Sequence, residues 1–188
     1  MRGPREKSRM KKVLLASLFI LAIGCYSAEV KKEQEFKADW SRYKVIHVGW
    51  IDYPTGSCRK FLYNTPAEWQ REINHLNYEY LMSYFKKQMS DKKFLGPTKT
   101  KAIPRGGDVF IKFDFLSYEN KFNYGFTGVD YLNIRVEMFD SRKGRKIYSG
   151  LLRIPSNEPG PGDWSVYGIN GRLEMEIRNL VKFISSKF

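Results

Sequence analysis

Two stretches in the second half of the chain alternate so regularly that they leave little choice of architecture. Val109, Ile111, Phe113 and Phe115 fall on one face of an extended segment while Lys112 and Asp114 point to the other. Leu132, Ile134, Val136 and Met138 alternate with Asn133, Arg135, Glu137 and Phe139 in the same way. Successive side chains on a strand point to opposite faces, so each stretch has one face to bury and one that tolerates water. A third strand is expected over residues 147–154, joined to the second by the polar, glycine-containing turn Asp140-Ser141-Arg142-Lys143-Gly144-Arg145-Lys146. A first strand is predicted over residues 44–51, where Ile46, Val48 and Trp50 alternate with Val45, His47 and Gly49.

Something must cover the apolar face, and two helical patterns supply it. In Thr65-Pro66-Ala67-Glu68, Thr65 can cap free backbone N–H groups, Pro66 suits the first helical position, and Glu68 can reach back to the cap. Trp69, Ile73, Leu76, Tyr80 and Tyr84 then recur at helical spacing, and Gly96-Pro97 is read as the stop. A last helix is predicted from about Asn170, with Leu173, Ile177, Leu180, Val181 and Ile184 on one side. The expected fold is therefore α/β, an α+β sandwich: a mixed four-stranded sheet in the order β-α-β-β-β-α with both amphipathic helices on one face and a right-handed first crossover. The other face, carrying His47, Lys112, Asp114, Arg135 and Glu137, is expected to meet solvent or a partner.

The amino terminus has a different character. Arg9, Lys11 and Lys12 precede an apolar run over residues 13–23, and the small residue Gly24 stands before Cys25. This is the make-up of a secretory signal, whether translation starts at Met1 or Met10, and the run is too short to span a bilayer core of about 30 Å. Leu21-Ala22-Ile23-Gly24-Cys25 resembles the lipobox of bacterial lipoproteins, although that pattern prefers Leu or Val where this chain has Ala22. The resemblance implies that Cys25 is lipidated and becomes the first residue of the mature chain. Tyr26, standing where an Asp would retain a lipoprotein in the inner membrane, implies the outer membrane of the cell envelope. An ordinary signal peptide cut nearby is the alternative. The organisation expected is a signal peptide over 1–24, a lipidated cysteine and polar tether over 25–42, and a single α/β domain over 43–188.

Removing the signal changes the charge balance. The chain has 33 Lys and Arg against 20 Asp and Glu, and residues 1–24 hold six of the former and one of the latter, so the mature chain carries 27 minus 19, or +8. Residues 136–150, from Val136 to Gly150, look like the D-x-x-x-G-[RK]-x-[IV]-[YW]-x-G hairpin of small α/β envelope lipoproteins, among them the penicillin-binding-protein activators and the curli secretion lipoprotein. That resemblance covers part of the domain and implies an architecture only; no functional residue transfers with it.

Few residues suggest chemistry. The two cysteines are Cys25 and Cys58, and the two histidines are His47 and His75. A thiol-dependent hydrolase would need Cys58 beside one of those histidines, and no spacing places them together. No catalytic residue, metal site or cofactor is expected, since a zinc site needs three or four converging ligands. Two basic runs are candidate binding elements: Lys99, Lys101 and Arg105, and Arg142, Lys143 and Arg145. Tyr124 and Phe126, in an aromatic stretch between two strands, are candidates for an interface. An exported protein is not expected to meet nucleic acid. The leading expectation is a lipid-anchored, non-enzymatic envelope module that binds a protein or an anionic polysaccharide; the runner-up is a surface adhesion module that grips anionic glycans or host proteins through the basic loops. Oligomeric state is left open.

Overall fold

The computed structural model describes residues 28–36, 38–55, 65–100, 102–119, 130–156 and 169–188. Its centre is the predicted antiparallel meander. Strands β4 (Val109–Glu119), β5 (Tyr131–Asp140) and β6 (Arg145–Pro155) pair in sequence, with Val109 opposite Asp140 and Tyr131 opposite Pro155. Val109, Ile111, Leu132, Ile134, Val136, Met138, Leu152 and Ile154 are fully buried, as the alternation requires. Each such side chain contributes roughly 1.5–3 kcal/mol by leaving water.

Among the described residues the sheet has six strands, in the order β1-β6-β5-β4-β2-β3, and not the four expected. Both additions lie at its edges. Strand β1 (Glu29–Glu35), EVKKEQE, falls in the stretch predicted as a tether over 25–42. Its residues are all exposed, and the strand pairs antiparallel with β6, Glu29 opposite Arg153. An edge strand needs only one line of backbone partners, so it need not carry an apolar face. Its charges discourage further strand addition. Arg153 reaches Glu29 at 3.4 Å, and Lys187 near the carboxyl terminus pairs with Glu33 and Glu35.

The second addition is β3 (Lys93–Thr98), which lies parallel to β2 (Val45–Gly49). Gly96-Pro97, predicted as a helix stop, sits inside this strand. At the sheet edge a proline's missing N–H costs no ladder bond. Gly96 has φ +106°, and a Cβ there would lie 2.4 Å from the Val48 carbonyl oxygen. Only glycine lets β3 come this close to β2.

Between β2 and β3 the chain forms helix α1 (Pro66–His75), a π-wound segment (Leu76–Leu81) and helix α2 (Met82–Gln88). The predicted capping box is present: the Glu68 N–H donates to Thr65 Oγ1 at 3.2 Å and the Thr65 N–H to Glu68 Oε2 at 3.1 Å. The apolar stripe does not continue as drawn. Beyond Leu76 the wider winding turns Leu81, Met82 and Phe85 into the core and leaves Tyr80 and Tyr84 half-buried. Asn77, fully buried, accepts from the Ile51 N–H at 2.9 Å and donates to the carbonyls of Ile51 and Ile73 at 3.0 and 2.9 Å. It ties this segment to the chain leaving β2. Helix α3 (Ile169–Ser185) buries Leu173, Ile177, Leu180, Val181 and Ile184, the predicted side.

Strand β2 is parallel to both β3 and β4 and lies between them. The β2–β3 crossover is helical. The β3–β4 crossover has no helix and runs back in the opposite direction across β2, so a right-handed connection must take the other face of the sheet. Gly107 at the end of this connection passes close to His47, and a Cβ on it would lie 3.3 Å from that of His47.

Candidate functional site

Strand direction decides which predicted residues can meet. Strands β2, β3, β4 and β6 start at one end of the sheet, where β5 and β1 finish. The β5–β6 turn, the start of β4 and the residues leading into β2 therefore share that end, and two buried aspartates bind them together. Asp108 accepts from the backbone N–H groups of Lys44 and Val45, both at 2.9 Å, and from the Arg142 guanidinium. Asp140, 1% exposed, uses Oδ1 to accept from the turn N–H groups of Arg142 and Lys143, at 3.1 and 3.0 Å. Its Oδ2 accepts from the Tyr43 hydroxyl at 3.2 Å and from Arg42 at 3.0 Å. The Ser141 N–H donates to the Asp108 carbonyl at 2.9 Å, closing the knot.

Burial alone would raise both carboxyls. For Asp108 the Val45 and Lys44 N–H groups and Arg142 outweigh it, and for Asp140 the Lys143 N–H, Tyr43 and Arg42 do; both titrate below the ordinary aspartate range. The consequence for the surface is a sign. The acids of this knot are turned inward and pinned, whereas Arg42, Lys44, Arg105, Arg142, Lys143 and Arg145 are exposed. Three of the predicted binding residues, Arg142, Lys143 and Arg145, are thus brought together on the hairpin. Arg42 and Lys44 join them from the chain before β2, and sequence reasoning missed both because their neighbours are distant in the chain.

Lys99 does not belong to this group. It follows Thr98 at the far end of β3, and its ammonium lies over the Trp50 ring, 4.4 Å from the centroid. Strand β2, about 17 Å long at 3.3 Å per residue, separates it from the basic knot. The first basic run is therefore split between the two ends of the sheet. Lys101, Tyr124 and Phe126 lie outside the described residues, as do Cys25 and Cys58.

The sheet face opposite the helices carries the predicted polar set, and most of its charges answer one another. Lys112 pairs with Asp114 at 3.0 Å and with Glu137 at 3.6 Å, Lys146 pairs with Glu137, and Arg153 with Glu119 at 2.8 Å. Such cross-strand ladders suit a solvated sheet face, at about 0.2–1 kcal/mol per pair. His47 lies on this face, its Nε2 2.8 Å from Thr98 Oγ1 and its ring edge-on to Phe110; partial burial lowers its pKa, which favours the neutral ring. His75 is exposed on α1 with its ring against Tyr80. The two histidines are on opposite sides of the sheet. Among the described residues no three His, Cys, Asp or Glu side chains converge as metal ligands, and no helix is long and apolar enough to cross a membrane.

No protein-family model and no curated protein matches the chain. Two solved structures of PelC from Paraburkholderia phytofirmans, both dodecamers, are similar at 14% identity over 80% of this chain and 92% of that one. The TM-scores are 0.45 for one and 0.42 for a single-residue variant in another crystal form. At these values neither function nor assembly state transfers.

Proposed function

We propose that this chain is a lipid-anchored envelope protein whose domain is a binding or assembly module without enzymatic activity. The observation that carries the reading is the export signal ending in Cys25: a basic start, an eleven-residue apolar run at 13–23, and a small residue before the cysteine. Acyl chains on Cys25 would add about 0.8 kcal/mol per buried CH₂, and several together hold a protein on a membrane durably. The basic end then supplies the recognition chemistry. Exposed arginines and lysines on a rigid, pinned hairpin attract an anionic macromolecule, and the pinned geometry removes part of the ordering cost that flexible cations would incur on binding.

Incorporation of labelled fatty acid into the wild-type protein and its loss in Cys25→Ala tests the anchor; label retained by the variant refutes it. Retention on an immobilised sulfated polysaccharide, lowered by salt and lost in the triple variant Arg142→Glu, Lys143→Glu, Arg145→Glu, tests the basic end. The same retention in variant and wild type refutes that assignment. Shaving of intact cells with protease separates the periplasm-facing module from the adhesion module, because only the latter is cut.

A further inference from the structure

The place of β1 determines how such an anchored domain would stand, and this step rests on the lipidation of Cys25 proposed above. Strand β1 begins at Glu29, four residues after Cys25. Four residues in any conformation reach at most about 14 Å. Whatever holds Cys25 therefore holds the first residue of β1 close by.

Glu29 is itself tied to the end of the sheet opposite the basic knot. Strand β1 runs antiparallel to β6, so its start lies beside the end of β6, the start of β5 and the end of β4. Arg153 makes the connection in side chains: it pairs with Glu29 on β1 at 3.4 Å and with Glu119 on β4 at 2.8 Å, and its guanidinium lies 3.5 Å from the centroid of the Tyr131 ring on β5. Four strands thus meet at Arg153, beside the residue where the leash arrives. From there β5 runs ten residues to Asp140 in the basic knot, roughly 30 Å at 3.3–3.4 Å per residue.

We infer that the domain stands upright on the bilayer, with the Glu29–Arg153 end against the lipid surface and the basic hairpin directed away from it. A Debye length is about 8 Å at physiological ionic strength, so a basic cluster several such lengths from the headgroups is screened from them. The hairpin then faces an anionic partner beyond the anchoring membrane and not that membrane's own lipids.

Fluorescence quenching on vesicles tests this. In full-length protein with Cys58→Ser, Ser117→Cys and Lys143→Cys place single reporters on exposed residues at the two ends; lipidated Cys25 takes no label. The proteins are incorporated into phosphatidylethanolamine–phosphatidylglycerol vesicles that carry a quencher on the headgroups. The Ser117→Cys reporter is expected to lose most of its fluorescence and the Lys143→Cys reporter to keep nearly all of it. Equal quenching at both ends, or the reverse order, overturns the orientation even though the protein is acylated. Failure of the wild type to take up fatty acid defeats the anchor reading instead. A flexible Gly-Ser insert of twenty residues after Ser27, with a root-mean-square span of roughly 25 Å, should bring the two reporters towards equal quenching. An insert that leaves their difference unchanged overturns the leash as its cause.

Discussion

Replacing Asp140 with alanine should destabilise the fold by about 3 kcal/mol at neutral pH, and the figure follows from its four partners. The Tyr43 ring is 2% exposed and its hydroxyl bonds to Asp140, so removing the acceptor leaves a buried hydroxyl with a desolvation cost of about 1–3 kcal/mol. Arg42 has a side chain 46% exposed and can return to water, so its ion pair adds little. The Arg142 and Lys143 N–H groups sit in an exposed turn where water can replace the carboxylate, at about 0.5 kcal/mol each. In a domain of this size the sum corresponds to a Tm loss of about 6–12 °C. Asp140→Asn keeps an acceptor for the turn and should cost less.

The pH dependence separates this account from a general packing defect. Because the folded carboxyl titrates below its ordinary value of 3.8, its contribution is complete above the unfolded pKa and is lost as pH falls through the folded one. Urea unfolding followed by tryptophan fluorescence between pH 7 and pH 2.5 should show the gap between the wild type and Asp140→Ala narrowing below about pH 4. A difference under about 0.5 kcal/mol at pH 7, or one that stays constant through the acid range, would refute the pinned-carboxylate reasoning.

Three further substitutions test the β3 edge and the helical layer. Gly96 and Gly106 both have positive φ, +106° and +93°, but a Cβ at Gly106 would meet nothing within 4 Å whereas one at Gly96 meets the Val48 carbonyl. Gly106→Ala should therefore cost only the left-handed penalty of about 1–2 kcal/mol, and Gly96→Ala clearly more; equal Tm losses would deny the close approach of β3 to β2. Asn77→Ala strands the buried Ile51 N–H and carbonyl, while the Ile73 carbonyl keeps the Leu76 N–H, for a loss of about 2–4 kcal/mol by urea titration. A loss below about 1 kcal/mol would mean that water reaches those groups.

What could be read from the sequence were the elements whose burial is periodic. The alternation in β4 and β5, the Thr65 capping box and the last helix are local patterns, written by the contrast between one buried side and one wet side, and each stands where the pattern put it. The edge strands carry no such contrast. Glu29–Glu35 is exposed along its whole length, and Lys93–Thr98 contains the Gly-Pro pair that ends helices elsewhere, so only the waiting backbone edges of β6 and β2 make strands of them. The helical stripe was legible as far as Leu76, where π winding turned Leu81 and Phe85 inward in place of Tyr80 and Tyr84.

The same division holds for the candidate site. The hairpin cations Arg142, Lys143 and Arg145 are visible in sequence because they are close neighbours in the chain, and so are the basic start and apolar run that precede Cys25. The tertiary structure alone decided that Arg42 and Lys44 join them while Lys99 is held at the other end of the sheet over Trp50. Charge is a property of each residue and can be counted along a chain. A field depends on where strand direction and pairing carry those charges, and here two buried aspartates at the ends of adjacent strands gather the cations at one end, away from the start of β1.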